Sequence, residues 1–158
     1  MRTALKIITA IIVCLAVGGI SGYLSGSSGT NAWYQSLNKP VFTPPSWIFG
    51  AVWPILYILM GTACGLVWNK GLSQKAVFLA IVVFAVQLVL NGLWTPLFFG
   101  MHRIDLALLE AILLWVAIAV TEALFWKIRP AAAILLWPYL AWVGFAIALN
   151  AMFWKLNV

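Results

Sequence analysis

The chain has 158 residues, of which 65% are hydrophobic and only 8% charged, and its mean hydropathy is +1.08. A soluble domain carries about 25% charged residues, so a water-facing surface is excluded and the chain reads as an integral membrane protein. The net charge of +6 is not a nucleic-acid footprint. Basic residues fall one or two per connection, as helix-end anchors do, and form no stripe along a face.

Charges and helix breakers divide the sequence into five apolar spans, each close to the roughly 20 residues a transmembrane helix needs. The first, about 7–24, follows Arg2 and Lys6. Its charged and apolar parts resemble a signal peptide, but no A-x-A site follows, so it is read as a helix. Cys14 here and Cys64 in the next span fit no C-x-x-C pattern and are expected to be small buried hydrophobes.

A long connection, about 25–45, comes next. It runs into "NKPVFTPPSWIFGAVWP" (38–54), with four prolines and two tryptophans. Proline fixes φ and lacks an N–H, so Pro40, Pro44 and Pro45 predict an extended segment. Irregular backbone is not tolerated against lipid. Two readings stand: an aromatic belt at the headgroups, or a rigid lid over the mouth of the bundle that includes Trp33 and Lys39.

The second span, about 46–68, carries Trp53 and Tyr57 on one face, and the third, about 76–99, carries Gln87, Asn91 and Trp94 at i, i+4 and i+7. Buried amides need partners. They are either polar glue between helices or the wall of a ligand pocket. Ala76 and Ala80 form a small-xxx-small pair, a close-packing motif that fits either a homodimer contact or a neighbouring helix of the same bundle.

The fourth span, about 104–126, holds two acids. Glu122 is near enough to the end to snorkel beside Lys127. Glu110 is about 9 Å inside at 1.5 Å per residue, expected as a protonated acid or paired with a base near Arg103. The fifth span, about 131–154, carries Tyr139, Trp142, Ala146 and Asn150 on one stripe, with Phe145 counted among its candidate ligand contacts. Three spans thus carry aromatic-plus-polar stripes, which suit either core packing or a flat conjugated ligand. Short second, third and fourth connections predict antiparallel packing of sequence neighbours. Six basic residues against three place the N-terminus inside.

"WYQSLNKPVFTPPSWIFGAVWPILY" (33–57), "QLVLNGLWTPLFFGMHR" (87–103) and "PYLAWVGFAIALN" (138–150) resemble the three signature blocks of the tryptophan-rich sensory protein (TspO) family. Its mitochondrial relatives are the translocator protein, or peripheral benzodiazepine receptor. The resemblance covers nearly the whole chain. It implies an all-α bundle of five transmembrane helices with a long, Pro-rich first loop capping a ligand pocket. It also implies a bacterial membrane protein, often dimeric, with a porphyrin-like tetrapyrrole as ligand and a sensory or regulatory stress role, or alternatively a transporter of hydrophobic small molecules. By the same resemblance, Asn91 and Trp94 match the family's N-x-x-W-x-P motif. Trp53 and Trp142 match tryptophans implicated in light-dependent porphyrin degradation, and Ala146 matches a small residue that affects ligand affinity.

Ordinary catalytic machinery is not visible. His102 has no second ligand nearby in sequence, so no metal is expected, and no hydrolase, zincin or phosphate-loop motif occurs. The family's sterol motif is broken because Met152 stands at the tyrosine position between Leu149 and Lys155, and sterol binding is not expected.

Overall fold

The structure, a computed structural model, describes residues 3–26 and 31–158. Among the described residues seven α-helices follow one another: α1 (Thr3–Leu24), α2 (Ala32–Ser36), α3 (Ser46–Trp68), α4 (Lys75–Thr95), α5 (Ile104–Ile128), α6 (Pro130–Ile134) and α7 (Trp137–Asn157). A π-helical turn, Pro96–Gly100, prolongs α4, and α6 and α7 together make one run. Five of these runs are long and apolar enough to cross a membrane, which bears out the five-span bundle. Arg2, one of the six basic residues on the predicted inner side, lies outside the described residues.

The helix ends move from their expected positions for local reasons. α1 starts at Thr3 and α4 at Lys75, because a lysine in the first turn can send its ammonium to the headgroups without ending the helix. The fifth span is interrupted at Leu135–Leu136. Pro138 has no N–H for the carbonyl of Ile134, and its ring would clash there. The loop is not extended throughout either, since Thr43 N–H and Oγ1 both donate to the Pro40 carbonyl, at 3.0 and 2.7 Å, closing a turn.

Around the bundle the order is α1, α3, α6–α7, α5, α4. α3 and α4, linked by residues 69–74, touch each other but meet less extensively than α1 and α3 or α4 and α5 do. Backbone approach decides the outcome. At Gly61 and Gly65 of α3, an added Cβ would run into the backbone of Ile11 and Ile7 of α1. These two helices therefore close as only glycine permits. Ser21 Oγ then donates to the Gly92 carbonyl at 2.5 Å, tying α1 to α4.

Two further expectations are narrowed. Ala80 is fully buried within its own bundle whereas Ala76 is exposed, so the pair cannot form one face toward a second copy. Arg103 is not the partner of Glu110: its Nε and Nη2 donate to the two oxygens of Asp105 at 2.9 and 2.7 Å. Glu122, near the end of its span, accepts from Trp137 Nε1 at 2.8 Å, and Arg103–Asp105 is the ion pair found among the described residues. Both oxygens of buried Glu110 lack a hydrogen-bond partner. Cys14 and Cys64 are free and buried, as expected.

Candidate functional site

A cavity of about 620 Å³ opens among α1, α3, α4, α5 and α7, toward the end of the bundle where the first loop lies. Pockets for small molecules usually fall in the range of about 300–1,000 Å³. Helical spacing builds one wall: Phe49, Trp53 and Tyr57 recur every fourth residue on α3 and all line the space. Trp53 stacks on Tyr57 with ring centroids 5.6 Å apart and 29° between planes. Opposite sequence elements add Asn91 and Trp94 from α4 and Trp142, Ala146 and Asn150 from α7.

The π-helical turn matters at this point. Met101 N–H donates to the Pro96 carbonyl at 2.8 Å, a five-residue step, and such turns often mark functional sites. The turn carries Phe98 and Phe99 into the lining, and Phe98 stacks on Trp94 at 4.9 Å and 16°.

The amides divide between the two roles the spacing left open. Tyr57 Oη donates to Asn91 Oδ1 at 2.6 Å, Asn91 Nδ2 donates to Tyr139 Oη at 3.0 Å, and Tyr139 Oη donates to Gln87 Oε1 at 3.0 Å. This chain joins α3, α4 and α7. Asn91 and Tyr57 line the cavity, but Gln87 and Tyr139 sit behind its wall, at 1% and 0% exposure. For them, polar glue describes the geometry. A second link runs from Trp94 Nε1 to Asn150 Oδ1 at 3.2 Å, while Asn150 Nδ2 donates to the Ile104 carbonyl at 2.9 Å. Phe145 lies outside the cavity, on a shallow outer groove beside Val52 and Pro138. The indole N–H of Trp142 is buried and has no partner.

The first loop is fastened across this end. Asn38 N–H donates to Asn157 Oδ1 at 2.8 Å, Asn38 Nδ2 to the Leu156 carbonyl at 3.3 Å, and Asn157 Nδ2 to the Asn38 carbonyl at 3.0 Å. Trp33 stacks on His102 at 4.3 Å and 14° and meets the edge of Phe98 at 5.5 Å. Lys39 Nζ sits 4.6 Å above the Tyr34 ring, a cation–π contact, and donates to Gln35 Oε1 at 3.1 Å. Pro40 is buried, Pro44 partly so, and Pro45 is exposed just ahead of α3. Of the loop residues singled out from sequence, Trp33, Lys39, Pro40, Pro44 and Pro45 hold the loop's shape without lining the cavity.

Tyr34, which the sequence did not flag, does line it, and partial burial pushes its phenol above the ordinary tyrosine range. Also missed were Phe49, Phe98, Phe99, Phe153 and the glycines of α1. The four-residue spacing of Phe49 to Trp53 was the one available signal. His102, outside any metal cluster found among the described residues, serves as the platform for Trp33.

Comparison with known proteins decides the kinship. The sequence profile of the TspO/MBR family matches residues 10–155. The chain belongs to the TspO/MBR family. It is 40% identical over 156 residues to tryptophan-rich protein TspO of Chlorobaculum tepidum, covering 99% of this chain and 98% of that one. It is 36% identical over 154 residues to protein CrtK of Rhodobacter capsulatus, covering 98% and 94%. The translocator protein of Homo sapiens is 41% identical over 127 residues, 79% of this chain and 75% of that one. TspO/MBR membership, five apolar helices and bacterial relatives make this a multi-pass integral membrane protein.

Proposed function

We propose that the protein binds a porphyrin-like tetrapyrrole in the cavity beneath the first loop, in a sensory or regulatory role. The observation that carries this reading is an aromatic cavity whose lining includes Trp142, an indole with a buried, unpartnered N–H. A buried donor without an acceptor is costly, and a ligand acceptor atom would relieve it. Flat rings from Trp53, Trp94, Phe98 and Trp142 suit a broad conjugated face. Asn91 and Asn150 also line the cavity, each with one amide hydrogen that the interhelical bonds leave unused. The relatives' names, tryptophan-rich sensory protein and translocator protein, support sensing or transfer of a small molecule. Binding is favoured over transport because α1 and α3 meet backbone to backbone at Gly61 and Gly65, beyond the cavity floor at Tyr57.

A second reading, light-dependent degradation of the bound tetrapyrrole in the presence of oxygen, is favoured by the Trp53–Tyr57 stack. An indole beside the photoexcited pigment can give it an electron that oxygen then takes up as superoxide, and the indole radical is refilled by oxidising the pigment, so that the net electron flow runs from tetrapyrrole to oxygen. The test measures protoporphyrin IX affinity and its photodegradation for wild type, Trp53→Phe and Trp142→Phe. Aromatic stacking is worth roughly 0.5–1.5 kcal/mol beyond area, so each variant should bind about tenfold more weakly at most. Degradation should fall much further. Equal degradation in all three would leave a binding protein, and absence of saturable binding by wild type would remove the tetrapyrrole.

A further inference from the structure

α1 and α3 form a fork. At its closed end, Gly61 and Gly65 sit so near Ile11 and Ile7 that an added Cβ would strike backbone, and at Gly18 it would strike the Tyr57 ring. Past Tyr57 the glycines of the two helices border open space. Gly19 of α1 and Gly50 of α3 both line the cavity, yet a Cβ at either meets nothing within 4 Å. Leu15 and Pro54 line the cavity and are also exposed. Pro54 has no N–H to offer the Gly50 carbonyl one turn earlier, which is where a proline loosens a helix. Apolar side chains near these glycines, Ile20 of α1 and Trp47 of α3, are exposed, as suits a face in contact with lipid. The aqueous end, by contrast, is crossed by the loop and held by the three Asn38–Asn157 and Asn38–Leu156 hydrogen bonds.

We propose that the cavity is loaded from the bilayer, through the fork between α1 and α3 at Gly19 and Gly50, by an apolar molecule dissolved in lipid. The proposal rests on the cavity being a ligand site, and it adds the route. A molecule that partitions into acyl chains never has to cross water or undo the loop. The missing side chains at these two cavity-lining positions supply the width.

The test does not depend on knowing the ligand. In a chain with Cys14→Ala and Cys64→Ala, Ala146→Cys places one thiol inside the cavity, and the protein is held in phosphatidylcholine vesicles. The probes are a maleimide tethered to an acyl chain, delivered in the lipid, and a charged maleimide delivered in the water. The lipid-borne reagent should label faster. Gly19→Leu and Gly50→Leu, made singly and together, should slow it by about tenfold or more while leaving the charged reagent's slow rate alone. Both substitutions project into open space, and an unchanged melting temperature identifies the variants that keep the fold.

Unchanged lipid-borne labelling in folded variants, or faster labelling from water, would overturn the route. In parallel, protoporphyrin IX carried in vesicles should associate and dissociate more slowly with the same variants. Failure of porphyrin to bind wild type, with labelling behaving as stated, would refute the tetrapyrrole and leave the route standing.

Discussion

Replacing Asn91 with leucine removes the middle of the Tyr57–Asn91–Tyr139–Gln87 chain while keeping the side chain's approximate volume. Two interhelical bonds disappear, one accepted from Tyr57 at 2.6 Å and one donated to Tyr139 at 3.0 Å. Such bonds within membranes average about 0.6 kcal/mol and reach about 1.7. The expected loss is therefore about 1.2 kcal/mol, with a ceiling of about 3.4. For a chain of this size each kcal/mol corresponds to roughly 2–4 °C in Tm, so melting should fall by about 2–5 °C.

The assay is thermal unfolding in detergent, run as a double-mutant cycle with Tyr139→Phe. The two substitutions share the Asn91–Tyr139 bond, so their effects should fall short of additivity by about 0.6 kcal/mol. Wild-type melting for Asn91→Leu, together with strict additivity, would refute the view that this chain holds α3, α4 and α7 together.

Other consequences are equally direct. Gly61→Ala forces a methyl into the Ile11 backbone, and overpacking of this kind should cost about 1–3 kcal/mol, read by the same melting assay. Ala80→Phe fills a fully buried site, so it should lower melting without changing the mass of the detergent-solubilised particle. A change of mass at unaltered stability would restore Ala80 to a contact between copies. Substituting Pro40, Pro44 and Pro45 with alanine, or Asn157 with alanine, should speed dissociation of bound protoporphyrin IX, measured by fluorescence after dilution into empty vesicles. Wild-type off-rates would mean that the loop does not retain the ligand.

Much of the fold could be read from composition, because five apolar runs have one stable answer in lipid: the helix. The stripes were legible too. Helical spacing put Trp53 with Tyr57 and Asn91 with Trp94, and all four do line one cavity. What spacing cannot give is the identity of the neighbour across each face. Gln87 shares a stripe with Asn91 yet lies behind the cavity wall, since Tyr139 takes its carbonyl. Phe145 follows the same rule in reverse, belonging to the right span but to its outer side. Ring order was hidden as well. It depends on the glycine seam between α1 and α3, and no residue of α1 was flagged for the cavity because, Leu15 apart, what it contributes there is glycine. Tyr34 was passed over because it sits on α2, a helix of five residues inside a segment whose prolines argued for extended chain.

The central claim is that the cavity itself holds the tetrapyrrole. Ala146 lines it from α7, so Ala146→Trp fills part of the space without touching the hydrogen-bonded chain or the loop. The most direct measurement is the protoporphyrin IX binding isotherm of this variant beside wild type, in vesicles, with melting temperature as the fold control. A folded Ala146→Trp protein should bind at least about tenfold more weakly, since a well-packed site cannot absorb an added indole without strain. Binding at wild-type affinity would place the porphyrin elsewhere on the protein and contradict the account.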